Sequence, residues 1–266
     1  SGDYQNPIAY ENPHAYTLPN NGDGTYTVRV RFIDAVGNES VGVISDSIIL
    51  DKTSPIDPLD VHSTSHTSAP STNKIIDMAW TTAGSAPGAT DGGSGIDGYS
   101  YSFTQGANDI PDATKDAEEI ATSISSSALT DGSWYFHLRT LDNAGNWTST
   151  IHIGPFIVDT TKPVIASHEN ITVQATSESG AVVTYTPPLA TDNIDSDAPA
   201  SCTPASGSIF PIGDTTVYCD KTDTAGNSAD RTTFTVTITA NNPPYFDPIA
   251  DQSVDEDSLS QNIFVT

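Results

Sequence analysis

The stretch Asp131-Gly132-Ser133-Trp134-Tyr135-Phe136-His137-Leu138-Arg139-Thr140-Leu141-Asp142-Asn143-Ala144-Gly145-Asn146 decides the fold. Trp134, Phe136 and Leu138 alternate with Tyr135, His137 and Arg139, the period of a strand with one buried face, and His137 falls on the outward phase. Asp142-x-x-Gly145-Asn146 then interrupts the alternation. Its Gly permits a positive φ, and its Asp and Asn bond back onto the local backbone, so the motif reads as a tight turn into a further strand at Ile151–Val158.

The motif occurs twice more, as Asp34-Ala35-Val36-Gly37-Asn38 and Asp223-Thr224-Ala225-Gly226-Asn227. The first two copies lie 108 residues apart, and at that offset Asp23-Gly24 matches Asp131-Gly132, Arg31 matches Arg139, Asp51 matches Asp159, Thr53 matches Thr161 and Pro55 matches Pro163. The third copy follows 81 residues after the second, and Pro244 keeps the same distance from its motif. A recurring strand–turn–strand unit with a Pro-bearing linker predicts an all-β chain of tandem immunoglobulin-like, fibronectin type III-like β-sandwiches in an extended rod. The one helix candidate, 116–124, runs into Thr and Ser, which favours a strand. Residues 1–53 read as the C-terminal part of a sandwich, 54–161 and 162–240 as complete modules, and 241–266 as the N-terminal part of another.

Composition narrows the function. The 266 residues carry 9 Lys and Arg against 34 Asp and Glu, a net charge of −25. So acidic a surface repels nucleic acid and anionic lipid, and suits a divalent cation or a saline medium. No run of eighteen apolar residues is present, so no helix of this segment inserts in a membrane. The chain starts at Ser1, as after removal of a leader or within a longer protein. Cys202 and Cys219 lack the companions of a zinc site and lie in strand-like sequence; a disulfide is the expectation, and with it an extracellular location.

Residues 74–161 resemble a fibronectin type III-like module of large secreted prokaryotic proteins, on Ile75-Ile76-Asp77-Met78-Ala79-Trp80 and Ser94-Gly95-Ile96-Asp97-Gly98-Tyr99-Ser100-Tyr101. Trp80 and Tyr99 are then core residues. Residues 163–240 resemble a hyalin-repeat (HYR) module, on Pro163-Val164-Ile165, Val183-Thr184-Tyr185-Thr186-Pro187-Pro188, Ala190-Thr191-Asp192-Asn193 and the segment from Cys202 to Cys219. That resemblance implies an immunoglobulin-like sandwich used in adhesion and extracellular architecture, without enzyme activity. Asn242-Pro243-Pro244-Tyr245-Phe246 and Val254-Asp255-Glu256-Asp257 open like a cadherin-like repeat.

Asp51-Lys52-Thr53-Ser54-Pro55 and Asp159-Thr160-Thr161-Lys162-Pro163 resemble the D-x-T-x-P linkers of giant bacterial adhesins, which implies Ca²⁺ at the module junctions. Asp34 is expected to face Asp51, and Asp142 to face Asp159; Asp223 is a lone candidate, since Ala240 stands where a linker Asp belongs. The competing role for each turn Asp is to cap its own turn. Asp192, Asp195 and Asp197 form a loop cluster for which two readings stand, a cation site and, favoured over it, a solvated loop. Sequons at Asn38, Asn146 and Asn170 allow glycosylation. The six His lack ligand spacing and there is no GxSxG, so no catalytic residue is named and no enzyme expected. The reading is a structural segment of a cell-surface or filament-forming protein, such as a fibre, surface layer or adhesin stalk. Neighbouring copies or modules, surface glycans or other cell-surface proteins are its partners, and strand donation by 242–266 is one route to assembly. Two alternatives are non-catalytic accessory modules of a secreted hydrolase and a carbohydrate-binding module using Trp147.

Overall fold

The computed structural model describes residues 22–84 and 86–241, with Ile8, Ala9, Ala15 and Thr17. The expected fourth module and the strand-donation segment, 242–266, lie outside these. The chain divides into two compact units: 1–165 with 190–198 and 221–230, and 166–189 with 199–220 and 231–266. It is all-β.

Strands β1 (Gly24–Val30) and β2 (Ile44–Leu50) pair antiparallel in continuous register from Gly24 opposite Leu50 to Val30 opposite Ile44. The turn 34–38 connects them, with Gly37 at φ +93°. Ile44, Ile48 and Ile49 remain exposed, and since Ile48 and Ile49 are successive they lie on opposite faces of the pair.

Next come β3 (His62–Ser63), β4 (Asp77–Ala79), β5 (Ile96–Thr104), β6 (Ala117–Glu118), β7 (Ser123–Ser125), β8 (Gly132–Asp142) and β9 (Ile151–Val158). They form two sheets, β3-β4-β7 and β6-β5-β8-β9. Between them lie Ile76, Met78, Trp80, Tyr99, Phe136, Leu138, Phe156 and Val158. Trp80 meets Tyr99 edge to face at 5.4 Å, the core role expected of both. The 116–124 stretch contributes strands rather than a helix, as its Thr/Ser continuation predicts.

One expectation fails in β8. His137, placed on the outward phase, is 0% exposed. The segment between β5 and β6 crosses that face, where Ser100 Oγ donates to the Asp112 carbonyl and Arg139 to the Pro111 carbonyl, and Thr104 Oγ1 at the end of β5 meets His137 Nε2. Two-residue periodicity marks a sheet's core face but is blind to a loop folded over the other one.

The remaining strands are β10 (Val164–Ile165), β11 (Ile171–Gln174), β12 (Ala181–Val183), β13 (Leu189–Thr191), β14 (Ala198–Pro199), β15 (Ser201–Thr203), β16 (Ser208–Phe210), β17 (Gly213–Asp220) and β18 (Thr232–Thr239). Sheet β11-β18-β17-β15 and the pair β12-β16 lie in the second unit, where Val183, Phe210, Val217, Phe234, Val236 and Ile238 are buried; β10-β13-β14 forms a third sheet. Cys202 and Cys219 sit opposite one another in the β15–β17 register and are joined by the expected disulfide.

Candidate metal centres at the linkers

Each linker begins where the last strand of a repeat ends. After β2, Lys52 N–H donates to Asp23 Oδ1 at 2.9 Å, and the Thr53 hydroxyl bonds Asp23 Oδ2. After β9 the pattern returns: Thr160 N–H and Oγ1 donate to Asp131 Oδ1 at 3.0 and 2.8 Å, and Thr161 Oγ1 to Oδ2 at 2.6 Å. The Asp-Gly pairs at 23–24 and 131–132 thus grip the linkers that the repeat pairs with them. Burial pushes the Asp131 carboxyl up, but the donors from Thr161, Thr160 and Asn193 outweigh it and hold the group at about 2.

Each D-x-x-G-N turn closes on its own Asp, as the turn-capping reading expects. Asp34 Oδ1 accepts from Val36 and Asn38 N–H, Asp142 Oδ1 from Ala144 and Asn146 N–H, and Asp223 Oδ1 from Asn227 N–H. Asn38, Asn146 and Asn227 each donate Nδ2–H to the second oxygen of the same Asp at 2.8 Å. Asn146 and Asn227 use their remaining amide proton on the Asp51 and Asp159 carbonyls, at 3.2 and 3.1 Å. The turn Asn is therefore the tie between a linker and the repeat that follows it.

These ties shift the expected pairing by one repeat. Asp51 gathers with Asp91 and Asp142, and Asp159 with Asp192 and Asp223; in each trio one carboxylate oxygen per residue lies within 4.8 Å of the others. Neither Asp34 with Asp51 nor Asp142 with Asp159 forms such a group. The reason is antiparallel geometry. The strand after a turn runs away from it, and the eight residues of β9 span about 26 Å, so the exit Asp arrives beside the next repeat's turn instead of its own. Asp34 belongs to no such group among the described residues. Asp223, expected to stand alone, is a full member of the second trio. All six carboxylates fall within the first compact unit.

Asp91 is not among the residues that the sequence singles out, and Asp192 belongs to the loop cluster for which the solvated reading is favoured over a cation site. A signal existed: Ala89-Thr90-Asp91 repeats as Ala190-Thr191-Asp192. Asp195 instead caps Thr224, through its N–H at 2.7 Å and its hydroxyl at 2.6 Å.

Burial turns the trios into a chemical question. Asp51, Asp142, Asp159 and Asp223 are 7, 1, 0 and 9% exposed. Asp159 Oδ2 and Asp192 Oδ2 are buried without a hydrogen-bond partner, and Ser94 N–H donates to Asp51 Oδ2 at 2.8 Å. Burial first, then the charges of Asp192, Asp223 and Asp131, pushes the Asp159 carboxyl up to about 6. In the first trio, Gly93 lets the backbone approach Asp51: a Cβ there would lie 2.5 Å from Asp51 Oδ2. Converging carboxylate oxygens with spare lone pairs are the donor set of a hard divalent cation, and Ca²⁺ in particular fills a six- to eight-oxygen shell.

The sequons separate by use. Both amide protons of Asn146 are engaged, that of Asn38 binds Asp34, and exposed Asn170 accepts from Thr235 N–H through Oδ1. Trp147 carries the Arg139 guanidinium 4.7 Å above its ring, so that face is not an open sugar platform.

Residues 158–238 match the family model of the HYR domain, a span that begins just ahead of Asp159 and includes the whole second trio. Hyalin of Strongylocentrotus purpuratus is 36% identical over 100 residues, 37% of this chain and 8% of that protein. Hyalin of Lytechinus variegatus is also 36% identical over 100 residues, 36% of this chain and 19% of that protein. The matched stretch is thus a small part of either relative. A solved structure of Clostridium thermocellum CbhA fibronectin(III)-like modules aligns over 70% of this chain and all of its own length, at 10% identity and a TM-score of 0.26. Residues 158–238 are thus similar to HYR domains, within a chain that is all-β, and its disulfide is typical of an oxidising compartment.

Proposed function

We propose that this chain is a non-enzymatic extracellular segment of a cell-surface or filament-forming protein, stiffened by calcium held at Asp51–Asp91–Asp142 and Asp159–Asp192–Asp223. The observation that carries the reading is the buried pair of unpartnered oxygens, Asp159 Oδ2 and Asp192 Oδ2, inside a carboxylate trio. Left alone, such a group holds mutually repelling charge in a place water does not reach, which costs free energy; a divalent ion removes both costs. The ion would join the exit of one repeat to the turn and loop of the next and so fix the linker. The similarity to hyalin supports an adhesive or architectural role. Neighbouring modules or copies, surface glycans and surface proteins are the partners that fit it. Assembly by strand donation belongs to the same reading, and a strictly monomeric chain at high concentration would exclude it.

The test is thermal melting in millimolar Ca²⁺ against chelator, for the wild-type chain and Asp192→Asn. Calcium raises the wild-type midpoint because it binds the folded state alone, and raises that of the variant less. Superimposable wild-type curves would end the calcium reading.

A further inference from the structure

A second cation chemistry lies in the first unit, away from the carboxylates. His137 on β8 and His152 on β9 stand opposite each other in register, and their Nδ1 atoms are 2.7 Å apart. Thr104 Oγ1 lies 3.2 Å from the Gly106 carbonyl and 2.9 Å from His137 Nε2. At 2.7 Å one Nδ1 carries a hydrogen and donates it to the other, so the two rings share a single proton that a metal ion would replace. Burial and the neighbouring His152 ring both push His137 below its ordinary value, which disfavours its doubly protonated form. His152 is exposed and lines a surface cavity of about 420 Å³ with Asn108, Arg139 and Thr150.

We propose that His137 Nδ1 and His152 Nδ1 form a two-imidazole site for a divalent transition metal, with solvent in the cavity completing the shell. The arrangement has the parts of such a site: a buried ring whose far nitrogen meets a hydroxyl, where outer-shell partners hold metal-bound imidazoles, and an exposed second ring. Imidazole nitrogen is a borderline donor that suits copper, nickel and zinc and is a poor ligand for calcium. The separation favours square-based geometry. Two nitrogens about 2.0 Å from a metal lie about 2.8 Å apart at a right angle but about 3.3 Å apart in a tetrahedron, so Cu²⁺ or Ni²⁺ needs the smaller adjustment. The Asp109 charge favours a cation here; Arg139 opposes it, with its guanidinium turned to the Pro111 carbonyl and the Trp147 ring.

The probe is Cu²⁺, titrated into the full chain in saturating Ca²⁺ so that the carboxylate trios are filled. The expected result is one equivalent bound at micromolar or tighter concentration, with nitrogen hyperfine structure in the electron paramagnetic spectrum. Affinity falls at least tenfold in His152→Ala, and falls with acid as protons compete for the rings. His152 is exposed, so this variant keeps the fold, while Asp192→Asn leaves copper binding unchanged. Binding weaker than about 100 μM, or equal binding by His152→Ala, overturns the proposal.

Discussion

At the residue scale, Asp159 shows burial and charge working against each other. Its folded value of about 6 stands above the ordinary carboxylate range. In the unfolded chain the group ionises first, so the folded state holds more protons between about pH 4 and pH 6, and stability falls as pH rises through that window. At pH 7.5 without metal, the ionised group costs at most about 3 kcal/mol. Asp159→Asn therefore raises the melting temperature in chelator at pH 7.5, with the gain fading toward pH 4, where the folded wild-type carboxyl is neutral and carries no buried charge. In Ca²⁺ the same variant loses its advantage, since it has discarded a ligand. Calorimetry at the two pH values, with and without calcium, checks both signs; an equal gain at pH 4 and pH 7.5 would show that charge is not the cause. The turn Asn carries a different lesson. Asn146 and Asn227 spend one amide proton on the turn and one on the preceding linker, so a residue that reads as turn chemistry also joins repeats.

At the element scale, the linker is held from both sides. Asp131 accepts from Thr160 N–H, the Thr160 and Thr161 hydroxyls and Asn193 Nδ2. Asp131→Ala leaves those donors unpaired and is expected to cost about 1–3 kcal/mol, read as a lower midpoint in denaturant titration. Gly93 serves the other side of the first trio. In Gly93→Ala the new methyl meets the Asp51 carboxylate, so calcium stoichiometry should drop from two sites to one while the second trio is untouched. Isothermal titration distinguishes this from a general loss of affinity. The disulfide acts elsewhere. It closes a 17-residue separation between β15 and β17, so its reduction should destabilise the second unit by about 3 kcal/mol and leave the first unit's transition in place.

At the scale of the whole molecule, repetition turns a local device into an architectural one. The same three contributions, strand exit, loop Asp and turn Asp, occur at both linkers. If calcium fills them, proteolysis near 51–55 and 159–163 should slow in Ca²⁺ and recover with chelator, because local opening then includes release of the ion. Cleavage at equal rates in the two conditions would separate the trios from any mechanical role. The net charge of −25 acts over the same length: a chain this acidic repels itself, and salt or bound cations offset that repulsion.

The one-dimensional pattern determined a good deal. Alternation in Trp134–Leu138, the three D-x-x-G-N turns and the Pro-bearing linkers specify strands, turns and an all-β class, because period and turn chemistry are local properties. Cys202 and Cys219 in strand-like sequence were enough for the disulfide. Tertiary structure alone decided which acids meet. The seven-residue β2 carries its end about 23 Å from the turn that precedes it, so partners were set by the antiparallel path and not by nearness along the chain, and Asp51 found Asp142 instead of Asp34. It also decided the burial of His137, since a covering loop leaves no mark on the period of the strand beneath it.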